Sequence, residues 1–115
     1  MEISKSLSSN IEQIMPAVRY IQEHLFDGHL KISNLHEKCG VSAPTFRKLF
    51  ASAYGCTPKK YVLNQRIQNA AEFLKSGEYS SIAEVSAAVG FEDQLYFSKC
   101  FKAYYGVSPM KFKSI

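Results

Sequence analysis

The sequence predicts an all-α protein in which two helix-turn-helix units are joined by one long linker helix. Three observations carry that expectation. Apolar residues recur at spacings of three and four along the chain, one pattern of helix, glycine turn and helix occurs twice, and residues 58–76 keep a single helical register between the copies. The repeat runs over residues 30–61 and again over 80–112. Leu35 answers to Val85 and Gly40 to Gly90 at an offset of 50; Ser42 and Asp93, Phe46 and Phe97, Gly55 and Gly106, and Pro58 and Pro109 match at 51. The second copy therefore holds one extra turn residue.

From the N-terminus, residues 1–12 are expected to be a flexible lead-in. A helix marked by Val18, Ile21 and Leu25 is expected to begin near Pro16, because proline well inside a helix costs about 3 kcal/mol. The first unit takes residues 13–56. Within it, residues 33–39 form a short helix capped by Ser33, and Gly40 supplies the left-handed residue that ends it. Ser42 caps the next helix, and Pro44 falls in its first turn, where a missing N–H breaks no intrahelical bond. Phe46, Leu49, Phe50 and Ala53 make the inward stripe of that helix, leaving Thr45, Arg47, Lys48 and Ser52 outward.

The linker helix covers residues 57–76, opened by Thr57-Pro58 and stopped by Gly77, with Leu63, Ile67, Ala70, Ala71 and Leu74 as its stripe. A helix in this place acts as a rigid spacer rather than a flexible tether. The second unit, residues 77–115, repeats the logic. Ser81 and Glu84 form a capping box, Gly90 stops that helix, and Asp93 caps another that runs to Gly106. Phe97, Cys100, Phe101 and Tyr104 face inward there, while Gln94, Leu95, Ser98, Lys99 and Lys102 lie on or beside the outer face. Ser108-Pro109 starts a last helix.

The net charge of +4 decides little by itself, but its distribution is uneven. Residues 30–66 carry seven basic side chains and one acidic, residues 67–115 five of each, and residues 1–29 two and four. The middle third thus holds the whole excess, which suits a polyanionic partner. Cys39, Cys56 and Cys100 are odd in number and lack a C-x-x-C pair, so neither a disulfide framework nor a four-thiolate zinc site is expected, and a reducing cytoplasm is the natural compartment. No apolar run approaches the roughly 20 residues of a spanning helix, and MEISKSLSSN lacks the apolar stretch of a signal peptide. The chain has no nucleophile elbow, no glycine-rich phosphate loop, no paired carboxylates on one face and no metal constellation; no enzyme activity, cofactor, metal or membrane partner is expected.

Residues 40–61 read G-V-S-x-x-x-F-x-K-L-F-x-x-x-x-G-x-T-P-x-x-Y, residues 90–109 read G-F-E-D-Q-L-Y-F-S-K-C-F-K-x-x-x-G-V-S-P, and residues 66–74 read R-I-x-x-A-A-x-x-L. In this order and spacing, over residues 13–113, the chain resembles the DNA-binding domain of AraC/XylS-family transcription regulators. The resemblance implies seven helices, of which the third and sixth, here residues 43–54 and 94–105, enter successive major-groove segments on one face of the duplex. It implies a sequence-specific, cytoplasmic, nucleoid-associated bacterial regulator, an activator. Its partners would be double-stranded DNA and RNA polymerase; the domain itself would be monomeric, and a full-length parent would oligomerise. Base reading would fall on Pro44, Arg47 and Lys48 in the first unit and on Gln94, Leu95, Ser98 and Lys99 in the second.

Side-chain chemistry sorts these positions. Arg47 can donate twice to guanine O6 and N7, and Gln94 can bridge adenine N6 and N7, each pair contributing roughly 1–3 kcal/mol of discrimination. Pro44 and Leu95 offer only apolar contact, for instance to a thymine methyl. Lys99 and Lys113 stand where the family usually has arginine, exchanging a bidentate fork for a point charge. Lys31, Lys48, Lys59 and Lys60 suit phosphates, which set register without reading sequence. Two such helices on one duplex face sit about one turn, near 34 Å, apart.

Plainer readings stand beside these. The eight Phe and seven Tyr fit core stripes better than base stacking, with Tyr79, Tyr96 and Tyr105 the least settled. His36 and Cys39 fit helix packing better than a partial metal site, and His24 and His29 fit solvent. Arg66 fits an ion pair inside the linker helix better than a DNA contact. A helical protein-interaction module without DNA binding would explain the fold, but not the charge gathered on the first unit.

Overall fold

The computed structural model describes the backbone of residues 2–115 and the side chains of residues 9–115. Among the described residues there are seven helices and no strand: α1 (Glu2–Glu23), α2 (Leu35–Lys38), α3 (Ala43–Tyr54), α4 (Pro58–Ser76), α5 (Ile82–Ala88), α6 (Gln94–Tyr105) and α7 (Pro109–Ser114). The chain divides into two compact units. The first holds α1, His24 and residues 29–62, and the second holds residues 25–28 and 63–115. The division falls inside α4, between Val62 and Leu63, and not at residues 56/57 and 76/77, because the first turn of α4 packs with the first unit and its remainder with the second.

In the first unit α1 packs chiefly on α3 and also on α2. Ile14, Ala17, Val18 and Ile21 are buried on that face, together with Leu35 of α2, Cys39 just after it, and Phe46 and Phe50 of α3. The expected helix start near Pro16 is corrected here. Helix α1 continues from Glu2 through Pro16, which sits exposed. Tertiary contacts outweigh the lost i→i−4 bond: Ile14 is buried just before the proline, Asn10 Nδ2 donates to Ser52 Oγ (3.1 Å), and Gln13 Nε2 donates to the Cys39 carbonyl (3.0 Å). His24, expected in solvent, is half-buried, stacked on Tyr20 at 4.1 Å and donating from Nδ1 to the Tyr20 carbonyl.

Helix α2 begins after Asn34 rather than Ser33, and no side chain caps it. His36 instead ties the turn by donating from Nδ1 to the Val41 carbonyl (3.0 Å). Burial pushes the Cys39 thiol pKa up. At the far end of α3, Phe50 packs against Phe46, Tyr54 and Tyr61 with ring centroids 5.0–5.7 Å apart. Tyr61 enters on the first turn of α4, which Thr57 caps by accepting from Lys60 N (3.1 Å).

The core of the second unit is Ile67, Ala70, Ala71 and Leu74 of α4, Val85 and Val89, Phe91, and Phe97 and Phe101 of α6. Tyr104 is corrected from the inward stripe: it is 42% exposed, and its hydroxyl accepts from Gln68 Nε2 (2.6 Å). Ser81 caps α5 as expected, accepting from Glu84 N, but the Glu84 carboxylate returns to Ser80, through N at 3.1 Å and Oγ at 2.7 Å. These bonds to Ser80 hold its pKa below the usual carboxylate range. Ser86, the repeat counterpart of His36, has a buried hydroxyl with no partner among the described residues.

Arg66 makes the most distinctive contact of this unit. Instead of the expected ion pair inside the linker helix, its Nε donates to the Leu25 carbonyl (2.7 Å) and its Nη2 to the Asp27 carbonyl (2.8 Å). Those carbonyls belong to the short segment at residues 25–28, which packs with this unit. Desolvation lowers the guanidinium pKa and the charge of Asp27 opposes that shift. Gly90 is required beside it. Its φ is +99°, and an added Cβ would lie 3.0 Å from the Phe26 carbonyl and 3.1 Å from the Arg66 guanidinium.

Among the described residues no helix is long and apolar enough to cross a membrane, and no group of three or more His, Cys, Asp or Glu gathers to hold a metal.

Two stability predictions follow from this packing. Gly90→Ala lowers stability at least twice as much as Gly40→Ala, whose Cβ meets open space and which bears only the left-handed strain of about 1–2 kcal/mol; urea denaturation of the two variants compares them. Phe50→Ala, which empties a fully buried site, costs about 3–5 kcal/mol on the same assay.

Candidate nucleic-acid interface

Each unit offers one helix that is anchored on one side and bare on the other. In α3 the anchor is Phe46 and Phe50, both buried, while Pro44, Thr45, Arg47, Lys48, Ala51 and Ser52 are exposed. In α6 it is Phe97 and Phe101, with Gln94, Leu95, Lys99 and Lys102 exposed. The periodicity of 3.6 separates the faces, and the buried pair sets which face is outward.

The first turns of both helices are fixed by their caps. Ser42 Oγ accepts from Thr45 N (3.3 Å) and donates to Thr45 Oγ1 (2.9 Å). Asp93 Oδ1 accepts from Leu95 N (2.9 Å). Capping holds the N-terminal turn, where Pro44 and Gln94 to Leu95 sit, in one orientation before any partner arrives. Ser98 is half-buried and so stands partly withdrawn from the outer face.

The structure brings some of the expected residues together. Arg47 and Lys59 line one groove of 170 Å³ in the first unit, together with Ile32, Phe46 and Thr57. Lys60 is exposed next to Lys59 on the first turn of α4, Lys48 is exposed next to Arg47, and Lys31 is exposed in the segment before α2. In the second unit a larger groove of 690 Å³ is lined by Gln94, Ile82, Ala83, Met110 and Lys113. Leu95, Ser98 and Lys99 do not line it.

Met110 is the residue sequence reasoning passed over. It is 69% exposed and stands, at the repeat offset of 51, where the first copy has Lys59. That comparison of repeats was available in the sequence. Tyr96 is 44% exposed yet engaged: a hydrogen bond with the Cys100 thiol, followed by desolvation, pushes its phenol pKa up. Tyr105 is half-buried, packed between Phe101 and Phe112. Tyr79 stacks on Phe73. All three therefore take part in protein packing.

A family model described as a helix-turn-helix domain matches residues 35–114. The chain is 34% identical over 113 residues to the arabinose operon regulatory protein of Escherichia coli (strain K12), a match that covers 97% of this chain and 38% of the relative. It is 32% identical over 106 residues to the Msm operon regulatory protein of Streptococcus mutans, covering 92% and 38%. The chain thus spans well under half the length of these relatives. Among solved structures, the C-terminal domain of AraT, a response regulator from Geobacillus stearothermophilus, superposes with a TM-score of 0.79 at 30% identity, covering 89% of this chain and 84% of that one. The DNA-binding domain of AdpA, a global transcriptional factor solved in complex with a target DNA, gives a TM-score of 0.79 at 26% identity over 88% of this chain and 89% of that one. With the family model matching residues 35–114, and with α3 and α6 where the two motifs put them, the chain belongs to the AraC/XylS family of helix-turn-helix transcription regulators.

Proposed function

We propose that this chain binds double-stranded DNA sequence-specifically as the DNA-binding part of a bacterial transcription activator, seating α3 and α6 in adjacent major-groove segments. The observation that carries the reading is the pairing of a buried aromatic anchor with exposed reading side chains on both helices. In the first unit Arg47 reads guanine through its two-donor fork, with Pro44 and Lys48 beside it. In the second, Gln94 reads adenine and Leu95, Lys99 and the partly withdrawn Ser98 adjoin it. Lys31, Lys59 and Lys60 sit on phosphates and set the register. The compartment is the cytoplasm, on nucleoid DNA, the further partner is RNA polymerase, and no catalytic step belongs to this role. The domain acts as a monomer and a longer parent chain oligomerises.

Fluorescence anisotropy with random duplex tests the reading. Three phosphate contacts predict an affinity that falls about fortyfold between 50 and 200 mM salt. A chain that shows no salt-sensitive association is instead a protein-interaction module.

Replacing Lys59 and Lys60 together by Gln should make the logarithmic salt slope shallower by about 1.8; an unchanged slope removes them from the phosphate contacts. Arg47→Ala should relax base preference in one block of a two-block site and Gln94→Ala in the other, each by roughly 1–3 kcal/mol. If either substitution alters both blocks equally, the units do not read independently.

A further inference from the structure

The two copies of the repeat differ in the side chains that line their exposed grooves. In the first unit the groove beside α3 carries two cations, Arg47 and Lys59. In the second, the corresponding groove is lined by Ile82, Ala83 and Met110 and carries one cation, Lys113, with Met110 in the place of Lys59. Leu95, next to the groove-lining Gln94, is 76% exposed at the second position of α6. Its backbone N–H is held by Asp93, so the side chain is presented from a fixed turn. A single exposed leucine on a surface is ordinary, but here the unit exposes two long apolar side chains, Leu95 one residue beyond the groove-lining Gln94, and Met110 in the groove itself. The charge follows the same division, since residues 67–115 carry as many acidic as basic side chains.

The edges of bases in the major groove offer hydrogen-bonding atoms almost throughout; the one apolar feature is the thymine 5-methyl group. Leucine cannot bond to the former and gains by covering the latter. We propose that the second unit selects its base step through the 5-methyl group of thymine, with Leu95 as the reading side chain and the Met110 wall replacing the phosphate-seating lysine of the first unit. This rests on the reading of the chain as a duplex DNA binder. Sequence selection by this unit then depends on methyl burial and little on salt, whereas the grip of the first unit depends on counterion release.

The test uses the duplex recovered from a random pool by the whole chain, resynthesised with deoxyuridine for thymidine one position at a time. Deoxyuridine keeps every hydrogen-bonding atom and removes only the methyl, and losing one such buried group should weaken binding about fourfold. The expected result is one or two positions in a single block with that loss, which Leu95→Ala abolishes while leaving the salt slope of the wild type. Leu95 is exposed, so this variant leaves the core intact. Met110→Lys should steepen the slope by about 0.9, the increment of one new phosphate contact. The proposal is overturned if the selected duplex binds equally well with deoxyuridine throughout, if the loss persists undiminished in Leu95→Ala, or if Met110→Lys leaves the slope unchanged. Absence of any duplex binding overturns the underlying DNA-binding reading instead.

Discussion

Burial of an aromatic pair on one side of each recognition helix is the constraint on which the rest depends. Phe46 and Phe50 in α3, and Phe97 and Phe101 in α6, are essentially inaccessible to solvent. Each such side chain contributes on the order of 1.5–3 kcal/mol through burial, and because 3.6 residues make a turn, fixing those two positions fixes every other side chain around the helix. Arg47 with Lys48, and Gln94 with Leu95, are outward because the phenylalanines are inward. The caps at Ser42 and Asp93 then hold the first turn so that the outward residues occupy one arrangement. A bare surface helix with the same outer residues would have to order itself on binding, at a cost in conformational entropy that this fold has already met.

Much of this was legible in the sequence, for a physical reason. The bounds expected for α3, α4 and α6 match because those helices are marked at both ends by local chemistry, Ser42 and Gly55, Thr57-Pro58 and Gly77, Asp93 and Gly106, as well as by periodicity between. Arg47, Lys48, Gln94, Leu95 and Lys99 are exposed where periodicity put them, whereas the burial of Ser98 and the exposure of Tyr104 follow from neighbours on other helices. What failed was non-local. Pro16 argued for a helix start on local grounds, and packing against α3 outweighed it. Arg66 has an obvious role only when residues 25–28 are known to lie beside it, more than thirty positions away in the chain. Its bonds satisfy two carbonyls of an irregular segment that no ladder or helix would otherwise satisfy.

The internal repeat lets the two units be compared side by side. Both keep the anchor, the turn glycine, the polar cap and the proline that opens the following helix. They differ in the cations of the exposed groove, Arg47 and Lys59 beside α3 against Lys113 alone beside α6, where Met110 stands in the place of Lys59. Phosphate contacts supply affinity and register but no sequence information, while apolar and hydrogen-bonding contacts to base edges do the reverse. A pair of units divided in this way can hold DNA mainly through one and discriminate through both. That asymmetry agrees with an asymmetric site read by one chain, without a dimer twofold.

The most direct measurement of the central claim is a hydroxyl-radical footprint of the chain on its selected duplex. Two recognition helices in adjacent major-groove segments predict two protected patches on one face of the duplex, about ten base pairs apart. A single patch, two patches on opposite faces, or uniform cleavage would contradict the account.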